Sequence, residues 1–257
     1  MSKTLKRTRA GRLEIATCYT QISKGDPARV RAQKEKSSSE ARERMNARTS
    51  YQKLERKLAA NFDDGDLYLT LTYDDKHLPD CRGKAVRRLR SFLSKLRKAR
   101  KERCDLLLYV YVTEGCHPGG RYHHHLVVNT TGTDLDEIKR LWSYGSNVEL
   151  RRLTFSQDYT YEDLAMYLTK EPREWGSPKL GERTWTPSIG LKDPEPQTET
   201  VPDYVTLTAP PGAVILACEG PIRNGYGEFM WIKWLMPKDS KQKRKRAKRK
   251  KPTKGKE

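Results

Sequence analysis

The sequence predicts an α+β fold in which helices cover one face of an antiparallel sheet. Three observations carry this expectation. Runs rich in β-branched and aromatic residues, LYLTLTY (67–73), LLLYVYVTE (106–114) and YHHHLVVN (122–129), read as strands. Segments with apolar residues at helical spacing separate them. The resulting order, β, α, β, β, α, β, α, is the split βαβ arrangement of ferredoxin-like and RRM-like sheets.

Residues 1–36 mix Lys, Arg, Gly and Thr without steady period, and are expected to form a basic flexible arm. A helix follows over 37–61, with Ser37 and Glu40 spaced as a capping box and Tyr51, Leu54 and Leu58 on one stripe. The first strand, Leu67–Tyr73, alternates apolar and polar side chains. From Lys84 to Arg103 a helix shows Val86, Leu89, Phe92, Leu93 and Leu96 to the core and Arg and Lys elsewhere. The next two strands flank the Gly-rich break Gly115–Gly120 and read as a hairpin. Thr133 can cap a short helix carrying Leu135, Ile138, Leu141 and Trp142, with Gly145 as its stop. A strand over Val148–Leu153 and a helix over Thr160–Glu171, closed by Pro172, complete a domain spanning 62–175. Residues 176–237 read as a C-terminal annex: a Pro/Gly-rich linker, then a hairpin pairing Ala213–Cys218 with Glu228–Leu235 through a turn at Asn224 and Gly225. From 238 to 257 almost every residue is Lys or Arg, and a disordered basic tail is expected.

Lys and Arg number 52 against 33 Asp and Glu, a formal net charge of +19. Such a chain attracts polyanions, so nucleic acid or an anionic membrane surface is the partner class, although runs like Lys241–Lys251 also occur as plain solvated arms. The five cysteines show no CxxC pair, which argues against a disulfide framework or a cysteine zinc site and fits a reducing cytoplasm. No apolar h-region opens the chain and no stretch has the apolar length of a membrane span, so a cytoplasmic location without a membrane partner is expected.

The chemistry concentrates in two places. His123, His124 and His125 are consecutive, and on a strand only alternate residues share a face, so His123 and His125 point together and His124 points away. That is metal-ligand spacing, and Glu114, at the end of the neighbouring strand, can add a carboxylate oxygen. A surface histidine cluster is the bland alternative. In the last helix Tyr167 and Lys170 stand three residues apart on one face, while Leu164 and Leu168 pack. A tyrosine hydroxyl attacks phosphorus only if it loses its proton and the phosphate charge is neutralised, which a divalent metal and Lys170 would favour. An ordinary core tyrosine is the alternative there.

Taken in order, LTLTYDD (69–75), VTEG (112–115), RYHHHLVV (121–128), LWSYG (141–145) and YLTK (167–170) resemble the motifs of the HUH endonucleases, above all the rolling-circle replication initiators of small single-stranded DNA phages and related plasmid and prophage elements. The resemblance covers about residues 59–173. It implies a sheet with the histidine strand at its centre and the tyrosine helix over it. It further implies Mg2+ or Mn2+ held by His123, His125 and Glu114, and attack by Tyr167 on single-stranded origin DNA to give a 5′-phosphotyrosyl link and a free 3′-hydroxyl. Lys170 would stabilise charge at phosphorus or position the metal and Tyr167. Thr72, Tyr73 and Arg121 fall to DNA contact. The family's residue between the two ligand histidines is apolar, whereas here it is His124, so a one-residue shift of the ligand pair stays open. Asp163 stands one turn before Tyr167, so this resembles a single-tyrosine enzyme, with Tyr161 and Tyr159 as the nearby substitutes. No GxxxxGK[ST] loop occurs, which implies a host helicase, with a DNA polymerase extending the 3′-end.

The basic face of the 84–103 helix, Arg121 and the tails are expected to track the sugar-phosphate backbone. Trp175 and Trp185 are candidates for base stacking, or for anchoring a loop to the core. Two rival readings remain: a non-catalytic nucleic-acid-binding module on an RRM-like sheet, and a single-tyrosine HUH transposase or relaxase.

Overall fold

A computed structural model of the chain describes residues 2–20, 39–115, 119–132, 134–154, 160–170, 183–224 and 227–237. Among these, ten strands and four α-helices follow one another: β1 (Ser2–Ala10), β2 (Leu13–Thr20), α1 (Ser39–Asn61), β3 (Leu67–Leu71), α2 (Arg82–Glu102), β4 (Tyr109–Glu114), β5 (His123–Val128), α3 (Asp134–Leu141), β6 (Val148–Arg152), α4 (Glu162–Leu168), β7 (Thr186–Pro187), β8 (Pro196–Pro202), β9 (Val214–Asn224) and β10 (Gly227–Leu235). They build two antiparallel five-stranded sheets, ordered β6-β3-β5-β4-β7 and β8-β1-β2-β10-β9. The α+β class and the order from β3 to α4 agree with the sequence reading. None of the described helices is long and apolar enough to cross a membrane.

Helices cover both faces of the first sheet, not one as expected. Side chains alternate along β3, β4 and β5, and both sets are apolar away from the site. Leu67, Leu69, Leu71, Tyr111, Leu126 and Val128 pack under Leu89, Phe92, Leu93 and Leu96 of α2 and Ile138 of α3. Val110, Val112 and Val127 pack on the opposite face with Leu54 and Leu58 of α1 and Ala165 and Leu168 of α4. β5 is the middle strand, so it is buried from both sides.

The expected basic arm is corrected over 2–20. Lys3, Lys6, Arg7 and Arg9 mask a strand whose inward residues include Leu5, and the Gly11–Arg12 turn returns it to β2, where Leu13, Ala16 and Cys18 are buried. Gly11 has a φ of +61°, and a Cβ there would stand 2.2 Å from the Ala59 carbonyl oxygen of α1. A residue that tolerates positive φ and brings no side chain is therefore required. The two ends of the chain meet: β2 pairs with β10, and β1 pairs with β8. What the sequence divides into arm and annex is one sheet. Strands β7 and β8, short or fully polar, carry no periodic signal that the sequence could show. Ser37, Thr133, Gly225 and the 238–257 tail lie outside the described residues.

Two buried ionic groups fix the layers. Arg100 of α2, without exposed surface, meets Asp134 at 2.7 Å, and Asp134 also accepts from Thr130, Thr131 and Gly132, ordering the entry to α3. Lys233 of β10 lies between Glu55 of α1 at 2.7 Å and Glu162 of α4 at 2.8 Å, joining the second sheet to the helices on the first.

Burial raises the Asp134 carboxyl, but the threonine hydrogen bonds and Arg100 outweigh it and hold the pKa below its ordinary 3.8. Its contribution to stability is therefore complete above that value and is lost as pH falls through the lower, folded one. Asp134→Ala strands a buried guanidinium and is expected to cost about 3–5 kcal/mol in urea unfolding. A loss below about 1 kcal/mol would mean that the pair behaves as a surface bridge.

Candidate metal centre and tyrosine site

The site grows from the pairing of β4 with β5. Glu114 lies opposite His123, Thr113 opposite His124, and Val112 opposite His125. Directly opposed residues share a face, so Glu114, His123 and His125 stand together and His124 stands with the other core. Immediately after Glu114 the chain must turn, and Gly115 does so with a φ of +104° in a place where a Cβ would fall 2.5 Å from the Arg121 carbonyl oxygen.

Glu114, His123 and His125 each bring one ligand atom into a cluster whose members all lie within 4.8 Å of one another. Glu114 Oε2 is 3.5 Å from His123 Nε2 and 3.7 Å from His125 Nε2. Their outer nitrogens are engaged: His123 Nδ1 donates to the Arg121 carbonyl at 2.9 Å, and His125 Nδ1 meets the Tyr68 hydroxyl at 2.7 Å and Thr70 Oγ1 at 3.3 Å. Each Nε2 is thus left to face the carboxylate, with a proton to share or a lone pair for a cation. His125 Nε2 and Glu114 Oε1 are buried without a hydrogen-bond partner among the described residues. Orphaned buried polar atoms are rare, and two in one cluster of imidazoles and a carboxylate fit a divalent cation such as Mn2+ or Mg2+.

Burial pulls the Glu114 pKa up, but His123, His125 and Lys170 overcome it and hold it at about 2, so the carboxylate is ionised whenever the protein is folded near neutrality. Lys170 Nζ stands 3.5 Å from Glu114 Oε2 and 4.0 Å from the centre of the Tyr167 ring. Burial works against its charge, yet Glu114 and Tyr167 keep its pKa above the usual lysine value. Tyr167, 43% exposed, sets its ring edge-on to His125 with centroids 5.5 Å apart. α4 presents it this way because Ala165 and Leu168 are buried in the core beneath. Tyr161, the nearby substitute, is buried and donates to the Phe62 carbonyl, away from the cluster. Tyr159 lies outside the described residues.

His124 is fully buried between its own partners. The Tyr73 hydroxyl has one proton and can spend it on the Ala85 carbonyl at 3.2 Å, so His124 Nε2 donates to Tyr73 at 2.7 Å and Nδ1 accepts from Thr113 at 2.9 Å. Burial, then His123 and His125, lower its pKa to about 3, keeping it neutral. This polar chain accommodates a histidine at a place where an apolar residue is expected. It also corrects the assignment of Tyr73 to DNA contact: Tyr73 is a buried core residue. The Thr72 hydroxyl is committed to the Asn147 carbonyl, while Arg121 spans Asp75 and the Tyr73 carbonyl with half its side chain exposed.

Tyr68 and Thr70 are site residues that the sequence reading does not single out, although their alternation with Leu67, Leu69 and Leu71 places them beside His125 on the site face. Arg151, opposite Tyr68 on β6, brings an exposed cation to the same face. The basic helix α2, by contrast, packs on the far face of the sheet, which corrects its expected place beside the reacting phosphate. Trp185 is half-buried and donates to Ser50 Oγ, so it anchors the loop; Trp175 is outside the described residues.

Tyr68→Phe removes the partner that orients His125 and is expected to weaken Mn2+ binding about 10- to 100-fold by calorimetry. His124→Ala should leave Mn2+ affinity of the folded protein within about twofold while costing about 1–3 kcal/mol of stability, because Tyr73 and Thr113 lose their partner. Equal loss of metal affinity in both variants would contradict the division of faces.

Residues 66–172 match a family model described as Replication-associated protein ORF2. No curated protein and no solved structure matched the chain. The matched span runs from just before β3 to just past α4 and holds Glu114, both site histidines, Tyr167 and Lys170, so the segment that builds the cluster is the segment similar to a replication-associated family.

Proposed function

We propose that this chain is a metal-dependent replication initiator of the HUH type that nicks single-stranded origin DNA through Tyr167. The observation that carries the reading is the convergence of Glu114, His123 and His125 beneath a half-exposed tyrosine with Lys170 between them. The RRM-like binding module offers no account of two orphaned polar atoms in such a cluster.

In this reading Glu114, His123 and His125 hold Mn2+ or Mg2+, and the bound cation supplies charge neutralisation at the scissile phosphate. Tyr68 and Thr70 keep His125 oriented, and the Arg121 carbonyl does the same for His123. Tyr167 Oη forms a bond to phosphorus as the bond from phosphorus to the 3′-oxygen breaks. The phenol proton passes to solvent, and the departing oxygen takes one up, giving a 5′-phosphotyrosyl ester and a 3′-hydroxyl. The Lys170 ammonium, next to the phenol ring, favours the phenolate and the extra charge at phosphorus. The 3′-end then serves a polymerase, with strand separation left to a host helicase.

Incubation with Mn2+ and end-labelled single-stranded DNA carrying the origin should give a protein-linked band in denaturing electrophoresis. The band should vanish with EDTA and with Tyr167→Phe, and form about 100- to 1,000-fold more slowly with Lys170→Ala. An adduct that persists in Tyr167→Phe would remove Tyr167 from this role.

A further inference from the structure

The second sheet has a face that the nicking reading does not use. Its other face is packed: Leu5, Ala16, Cys18, Met230, Ile232 and Trp234 form a core. On the free side the directly paired residues Tyr19 and Phe229, and next to them Thr17 and Trp231, point toward α1 across a cleft of about 720 Å3. Lys6, Arg48 and Arg56 line the same cleft. Tyr19 and Phe229 are 38% and 39% exposed, a large apolar surface to leave in water.

We infer that this cleft is a second nucleic-acid site, a stacking groove for the single-stranded DNA that flanks the nick. Aromatic rings side by side with cations are what a single strand needs, because every base has a face to stack and every phosphate a charge to neutralise. The acids of the cleft are already matched: Glu228 by Lys3 and Arg223, and Glu55 and Glu162 by Lys233. Lys6 and Arg48 carry no ion pair among the described residues, so their charge faces the cleft uncompensated. The groove is also continuous with the tyrosine site. Glu162 on its wall opens α4, and Tyr167 lies five residues along the same helix, about 7.5 Å of rise. The inference rests on the nicking reading for the identity of the strand, but not for the binding itself.

The test uses the full chain with Tyr167→Phe and EDTA, so that no cleavage occurs, and a 5′-fluorescein oligo(dT) 20-mer as probe. Phe229→Ala with Tyr19→Ala is expected to raise Kd about 5- to 100-fold, as loss of stacked bases does. Lys6→Ala with Arg48→Ala should reduce the slope of log K against log salt by about 1.4. Irradiation of the same oligomer carrying 5-bromodeoxyuridine should cross-link peptides of β2 and β10, a readout that needs no variant to fold. Unchanged Kd in both variants, cross-links confined to other surfaces, or equal affinity for a 20-base-pair duplex would each overturn the groove. If the unsubstituted chain forms no tyrosine adduct while the cross-links stay on β2 and β10, the groove stands and the nicking reading falls. An adduct with cross-links elsewhere means the reverse.

Discussion

The carboxylate of Glu114 is an anion held almost out of water at the rim of an apolar core, and such a charge is tolerated only where partners converge on it. His123, His125 and Lys170 supply those partners from two different elements. That requirement dictates much of the surrounding structure. β4 and β5 must pair so that Glu114 faces His123, Gly115 must reverse the chain at once, and α4 must sit low enough on the sheet for Lys170 to reach down. A slip of one residue in β5 would bring His124 to the carboxylate and push its neighbours into the opposite core.

Much of this was legible in the residues. Alternation along LYLTLTY and the histidine strand gave both the sheet and the separation of His124 from its neighbours, because period two is a geometric property of a strand. The opposition of Glu114 and His123 followed from the hairpin. Less legible were features set by contact between distant segments. α1 buries Leu54 and Leu58 against one sheet while Ala59 and Ala60 meet the end of the other, so a helix expected to carry one apolar stripe is covered on two sides. β1 hides its inward residues among Lys and Arg, and only its pairing with β2 and β8 makes them a strand. Tyr73 stands in a motif associated with DNA, yet its hydroxyl is what makes a buried histidine acceptable.

Placing helices on both faces of the sheet divides the cationic surface. α2 turns its arginines to solvent behind the sheet, whereas Lys170 and Arg151 are cations on the site face. Charge behind the sheet acts at long range, through the field that draws a polyanion toward the molecule, and is attenuated by salt within about 10 Å. Charge on the site face acts by contact. The formal +19 therefore describes two different physical effects, which a count of residues merges.

Lys233 gives the second sheet a structural hold on the helix that carries the tyrosine. α4 has seven residues, too few to persist as a helix without tertiary support. Its first residue, Glu162, shares the Lys233 ammonium with Glu55. Shortening the protein to the segment between β3 and α4 would delete that ammonium and leave the two carboxylates facing each other without a counterion. The sheet built from both chain ends is thus part of the mounting of Tyr167, and the matched segment is not a detachable module.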